Sequence, residues 1–116
     1  MCEQDTRFIE ALVERVPALA TLMRDHLRDW DELLTHIFMS ELTRWVVDRR
    51  TSHGPDDEVL RTTLDFIEDS FDAAPELIAV SFVENLPYAD EEGIEIKDLL
   101  GPKLRNELEV QRPGEA

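Results

Sequence analysis

The sequence has one cysteine, few glycines and no long apolar run, and each of these scarcities argues against a class of protein. Cys2 is the only cysteine, so an intrachain disulfide cannot form. The longest apolar stretch, residues 77–83, is interrupted by Ser81 and is too short to cross a bilayer. The first ten residues lack the basic start and the apolar run of a signal peptide. We therefore expect a cytoplasmic protein without a membrane span.

The residue patterns that carry catalysis or metal binding are also missing. There is no Gly-x-Ser-x-Gly elbow for a nucleophilic serine, and four glycines leave little material for a phosphate-binding loop. His26, His36 and His53 occur at no ligand-like spacing, so we interpret them as surface or packing residues. The sequence predicts no catalytic residue, no metal and no cofactor. An enzyme or a small-ligand carrier is the least favoured reading.

The charge is strongly one-sided. There are 27 Asp and Glu residues against 12 Lys and Arg residues, which gives a formal net charge of -15. Such a surface repels nucleic acid phosphates and anionic lipid headgroups and attracts basic surfaces. We therefore expect a basic protein partner, with neither nucleic acid nor membrane binding. The alternative is that the charge serves only solubility.

Apolar residues recur at helical spacing along the chain, whereas strand alternation is almost absent. One-sided apolar stripes cover residues 8–16, 19–30, 33–50 and 59–71. The segments between helices contain proline or glycine, at Pro17, residues 51–55, Pro75, Pro87 and residues 101–102. We predict an all-α fold with a single compact domain of five to seven helices over residues 1–110. Residues 111–116 are predicted to form a frayed tail.

A helical bundle and a stack of HEAT-like helical hairpins both fit these stripes. Residues 8–10 (FIE), followed by Pro17, recur as residues 66–68 (FIE), followed by Pro75. A duplicated hairpin would produce this echo, and so would chance. The segment after Pro75 is apolar around most of its circumference and is therefore predicted to be the central, buried helix. Glu84 within it either docks a partner's arginine or is paired internally or turned to a polar face.

The fourth helical stripe carries four carboxylates on one side, Asp65, Glu68, Asp69 and Asp72, which we call the acidic ridge. Like charges at this spacing destabilise a helix, and anions are unfavourable near its C-terminal end. Two explanations are open. Arginines such as Arg44, Arg49 and Arg50 fold onto the ridge, or the ridge stays bare for a basic partner. Asp90, Glu91 and Glu92 in the following acidic loop would widen this predicted binding surface.

Trp30 and Trp45 belong to apolar stripes, so we interpret them as core anchors. The interpretation reverses if either one is exposed beside an acidic surface, because aromatic anchors dominate the energetics of interfaces.

Three segments carry a family resemblance: residues 32–39 (ELLTHIFM), 79–86 (AVSFVENL) and 99–102 (LLGP). They resemble an uncharacterised family of small, acidic, all-helical bacterial proteins that are similar in size and layout to immunity proteins of polymorphic toxin systems. The resemblance reaches from about Phe8 to Leu108 and implies no active residues. It implies an inhibitor that neutralises a basic toxin or effector. The alternative is a homo-oligomeric helical adaptor or scaffold, in which the fifth helix forms a homodimer.

Overall fold

The computed structural model describes residues 3–114, and this part of the chain is all-α and contains no strand, as predicted. Cys2 and the final two residues of the predicted tail lie outside the described range. The helices are α1 (Glu3–Arg15), α2 (Ala20–Trp30), α3 (Thr35–His53), α4 (Glu58–Asp69), α5 (Pro75–Ile78) and α6 (Pro102–Gln111). Short 3-10 helices cover Pro17–Leu19, Phe71–Ala73 and Ile94–Leu99. None of the described helices is long and apolar enough to span a membrane.

The longest helix, α3, lies at the centre of the bundle. It contacts α1, α2, α4 and α5 and the 3-10 helix Ile94–Leu99. Phe38, Leu42 and Val46 on α3 are fully buried in the core. Residues on the outer surface of α3 line two depressions on the outside of the molecule.

The segment after Pro75 differs from the predicted continuous helix. The α-helix α5 has only four residues, and a π-helical turn (Ala79–Val83) follows it. Leu77, Ile78 and Phe82 are buried as expected, but Val80 is 45% exposed. Glu84 and Asn85 face solvent, so Glu84 lies on the polar side of this segment. The segment that contains the π turn is therefore buried on one face only and exposed on the other.

The α3–α4 connection follows the sequence closely. α4 begins at Glu58, and Asp57 caps it by accepting a hydrogen bond from the Leu60 N–H at 2.9 Å. Arg49 on α3 holds the same carboxylate with two N–H groups, at 2.8 and 3.3 Å. Pro55 followed by Asp56, Asp57 and Glu58 is typical of a helix start with carboxylates near the positive end of the dipole, and the structure confirms the capping role for Asp57.

The C-terminal segment is more ordered than the predicted tail. Gln111 is the last residue of α6, and Arg112 is only 7% exposed. The Arg112 guanidinium donates to the carbonyl oxygens of Glu84, Leu86 and Pro87, at 2.7, 2.9 and 3.0 Å. Carbonyl groups at the end of a helical segment lack partners within it, and Arg112 supplies them. Packing therefore extends beyond the boundary drawn at residue 110.

Candidate protein-binding site

The acidic ridge is only half available to a partner, and Asp72 lies beyond the end of α4, on the 3-10 helix Phe71–Ala73. Asp65 and Asp69 are exposed, and their carboxylates form no hydrogen bond or ion pair with another residue of the described range. Glu68 instead binds the N-terminus of α6, where its carboxylate accepts the backbone N–H groups of Lys103 at 2.8 Å and Leu104 at 3.0 Å. Asp72 accepts a hydrogen bond from Lys103 Nζ at 2.7 Å. Two of the four carboxylates therefore hold the protein's own last helix.

The neutralisation of the ridge does not come from Arg44, Arg49 and Arg50, so the arginine explanation is wrong. Arg49 pairs with Asp57, and Arg44 lines a depression on another part of α3. The positive end of the α6 dipole and Lys103 take this role instead. The hydrogen bond to Asp72 raises the pKa of Lys103 above its ordinary value and keeps the ammonium charged.

The predicted loop carboxylates lie apart from the ridge. Asp90, Glu91 and Glu92 are exposed, and Glu91 accepts the backbone N–H of Tyr88 at 2.6 Å. Glu91 and Glu92 line a depression against α3. Within residues 3–114 no hydrogen bond, ion pair or shared depression joins them to the ridge. The structure therefore divides the predicted surface into two separate parts.

The loop side belongs to a larger concave surface, which we call the acidic groove. It consists of two open depressions of about 500 and 280 Å³ that share Arg44 and Asp48. The larger one lies between α3 and the acidic loop, and the smaller one lies between α2 and α3. The two depressions together are lined by Leu22, Asp25, His26, Asp29, Glu41, Thr43, Arg44, Trp45, Val47, Asp48, Asn85, Pro87, Glu91 and Glu92.

The charged side chains that line the acidic groove are mostly anionic. It contains six carboxylates and one arginine, Arg44. Asp48 and Glu92 form no hydrogen bond or ion pair through their carboxylates with another described residue. Asp25 and Asp29 pair with Arg24 and Arg28 at the surface, but exposed pairs of this kind contribute little energy. The groove therefore keeps a negative potential that the protein neutralises only in part.

Two tryptophan side chains, Trp30 and Trp45, lie at the acidic groove. Trp30 is 45% exposed, so its interpretation as a core anchor is wrong. Its indole N–H donates to Glu41 Oε2 at 3.4 Å, which places the ring beside the groove. Trp45 lines the groove and also packs against the core. The condition stated for an interface residue, exposure next to an acidic surface, is met by Trp30.

The sequence interpretation missed a polar cluster around the π turn. His36 Nδ1 is hydrogen-bonded to Ser81 Oγ, and Asn85 Nδ2 donates to Ser40 Oγ at 3.1 Å and to the Ser81 carbonyl at 2.8 Å. A serine beside a histidine meets one requirement of nucleophilic catalysis, but Ser81 is only 5% exposed and is not presented to a substrate. The cluster supplies partners to the irregular backbone of the turn. Ser81 and Asn85 lie one helical turn apart, and this spacing is the only sequence signal that could have indicated the cluster.

No group of three or more metal-ligating side chains that could hold a metal ion occurs in the described range. The groove offers carboxylates, which carry negative charge and accept hydrogen bonds, and the aromatic rings of Trp45 within it and Trp30 beside it. Groups of these types can bind a cationic molecule.

The comparisons with known proteins match the chain to one family of protein domains. No curated protein and no solved structure matches it. A family model described as a domain of unknown function matches residues 9–112, which include every helix from the second half of α1 to the buried Arg112. Because this match covers nearly the whole chain, the protein belongs to the domain of unknown function family DUF7674.

Proposed function

We propose that this chain is an acidic protein-binding domain which neutralises a basic protein, in the manner of an immunity protein or inhibitor of a toxin or effector. It acts by binding and not by catalysis. The observation that carries the proposal is the acidic groove, in which six carboxylates face one arginine beside an exposed tryptophan.

Charge supports a basic partner. The net charge of -15 attracts cationic proteins at long range, and the groove brings six carboxylates to one place, of which Asp48 and Glu92 are unpaired among the described residues. Complementary charge raises the association rate and selects against anionic competitors such as nucleic acid. An inhibitor of a cationic effector needs both properties.

The aromatic groups support a defined contact and not merely diffuse attraction. Trp30 and Trp45 flank Glu41, and tryptophan is enriched among residues that dominate binding energy. An arginine or lysine of a partner can place its charge against Glu41 and its aliphatic stem against the Trp30 ring.

The test uses basic protein domains encoded beside this chain's gene and two double variants with the same change of charge. Asp48→Lys with Glu92→Lys alters the groove, and Asp65→Lys with Asp69→Lys alters the ridge. All four side chains are exposed or at the groove surface and make no carboxylate bond within residues 3–114, so both variants should fold. Association rates are measured by surface plasmon resonance at low and moderate salt.

We expect the groove variant to associate at least about tenfold more slowly, because complementary charge governs the association rate. The ridge variant should lose much less. A larger loss in the ridge variant would assign binding to the ridge and refute the groove. Equal losses would show unspecific attraction, and the absence of binding by the parent chain to any basic neighbour would contradict the proposed function itself.

A further inference from the structure

His26 is a buried titratable residue at the base of the smaller depression. It is only 1% exposed, and its ring lies edge-on to Phe38, with centroids 5.5 Å apart. Its Nε2 atom lies 3.0 Å from the backbone nitrogen of Leu34, and its Nδ1 atom lies 2.7 Å from Glu41 Oε1. The side chain therefore connects α2, α3 and the short connection between them, residues 31–34.

The partners determine which ring nitrogen carries the proton. A backbone N–H can only donate, so Nε2 must accept from Leu34 and cannot carry a hydrogen. Nδ1 therefore carries the hydrogen and donates it to Glu41. The folded geometry is complete only with the neutral imidazole.

The charged groups around His26 come from both helices. Glu41 is the only one that bonds to the ring, and its carboxylate supplies a charge partner for an imidazolium. Arg44 and Asp48 on α3 and Asp25 and Asp29 on α2 line the same depression. A second proton on the ring would leave the Leu34 N–H facing a donor in place of an acceptor.

We propose that His26 is a pH-sensitive latch of the α2–α3 connection. Proton uptake at Nε2 breaks the hydrogen bond from the Leu34 N–H and frees residues 31–34. It also shifts the Glu41 carboxylate, which is bonded to His26, and with it the Trp30 indole, which donates to the same carboxylate. The latch belongs to the fold itself and does not depend on the groove having a partner.

The test follows Trp30, whose ring centroid is 6.5 Å from that of His26. The Trp45→Phe variant leaves Trp30 as the only tryptophan, and its fluorescence is recorded from about pH 8 to about pH 5, where histidine titrates. The Leu34 amide resonance is followed over the same range by ¹H–¹⁵N NMR. His26→Gln is the matched variant, because glutamine offers one donor and one acceptor but takes up no proton. His36→Gln and His53→Gln are the controls.

We expect a loss of Trp30 emission and a shift of the Leu34 amide with one shared midpoint. Both should disappear in His26→Gln and remain in the two controls. A Leu34 amide that stays fixed in the parent, or an unchanged titration in His26→Gln, would overturn the latch. If His26→Gln does not fold, the ¹⁵N resonances of the His26 ring decide: a midpoint different from that of the Leu34 amide refutes the proposal.

Discussion

Single carboxylates at helix N-termini stabilise this protein although it carries a large excess of negative charge. Asp57 caps α4 from the preceding residue, and Glu68 caps α6 from a different helix. In both cases the anion meets free backbone N–H groups and the positive end of a helix dipole. These two carboxylates therefore contribute to stability although the protein as a whole carries excess negative charge.

The pair of Asp57 and Arg49 predicts a defined dependence of stability on pH. Hydrogen bonds from the Arg49 guanidinium lower the pKa of Asp57 below its ordinary value of 3.8, against the opposing effect of burial. The stabilisation is therefore complete above that value, and it is lost as the pH falls through the lower pKa of the folded state. We expect Arg49→Gln to reduce the free energy of unfolding by roughly 1–3 kcal/mol at neutral pH, as for hydrogen bonds to charged groups.

Urea denaturation of the parent and the variant between neutral pH and acid pH measures this difference. It should shrink as the pH falls from the ordinary value of 3.8 through the lower pKa of Asp57 in the folded parent, because the carboxylate that pairs with Arg49 is protonated over this range. Arg7→Gln is the control, since the Arg7–Glu3 pair is exposed and should contribute almost nothing. A difference that stays constant into acid would contradict the assigned role of Asp57.

At the scale of helices, the junction of α4 and α6 depends on the side chain of Glu68 and on the lack of a side chain at Gly101. A Cβ atom added to Gly101 would lie 2.6 Å from Cγ and Cδ of Glu68, which is too close for real atoms. The backbone of Gly101 is ordinary, with φ of -74°, so an alanine there would be strained by this contact alone. The small size of Gly101 lets Glu68 reach the α6 N-terminus.

We therefore expect Gly101→Ala to destabilise the protein by about 1–3 kcal/mol in the parent, as overpacking does, and by much less in a Glu68→Ala background. Glu68→Ala alone should cost roughly 0.5–2 kcal/mol through the loss of the cap. Chemical denaturation of the four proteins gives the coupling energy. Additive effects would refute the junction, and Asp69→Ala, which removes a carboxylate one residue away, should be nearly neutral.

The helix boundaries could be predicted where the signal is local. The acidic residues after Pro55 and the proline at Pro75 mark helix starts that the structure confirms. The Glu68 cap could not be predicted, because it joins residues 35 positions apart and depends on how α6 is oriented. The π turn after Ile78 was missed for a similar reason, since Gln111 of α6, 32 positions along the chain, donates to the Ala79 carbonyl at the start of the turn.

At the scale of the whole molecule, the net charge of -15 predicts a response to salt. Repulsion among the surface carboxylates opposes the compact state, and salt screens it. We expect the melting temperature to rise as sodium chloride increases from about 0.01 M to about 0.3 M, over which the screening length falls from about 30 Å to below 10 Å. Calorimetry at several salt concentrations checks this, and a melting temperature that falls with salt would show that ion pairs outweigh the repulsion.

The sequence was sufficient to predict an acidic surface but not to place the acidic groove. Composition gives the total charge, and Glu91 and Glu92 of the predicted set do line the groove. Asp25, Asp29, Glu41 and Asp48 were not predicted, because spacing on α2 and α3 does not show which of their faces meet across a depression.

The contacts made by the last helix also bear on how the chain folds during synthesis. Until residues up to Arg112 have left the ribosome, the carbonyls at residues 84, 86 and 87 have no guanidinium to bind, and Glu68 has no amides to cap. A nascent chain that ends before α6 therefore exposes the apolar surfaces which Leu104 and Leu108 later cover. The domain therefore reaches its native packing only after α6 and Arg112 have emerged from the ribosome.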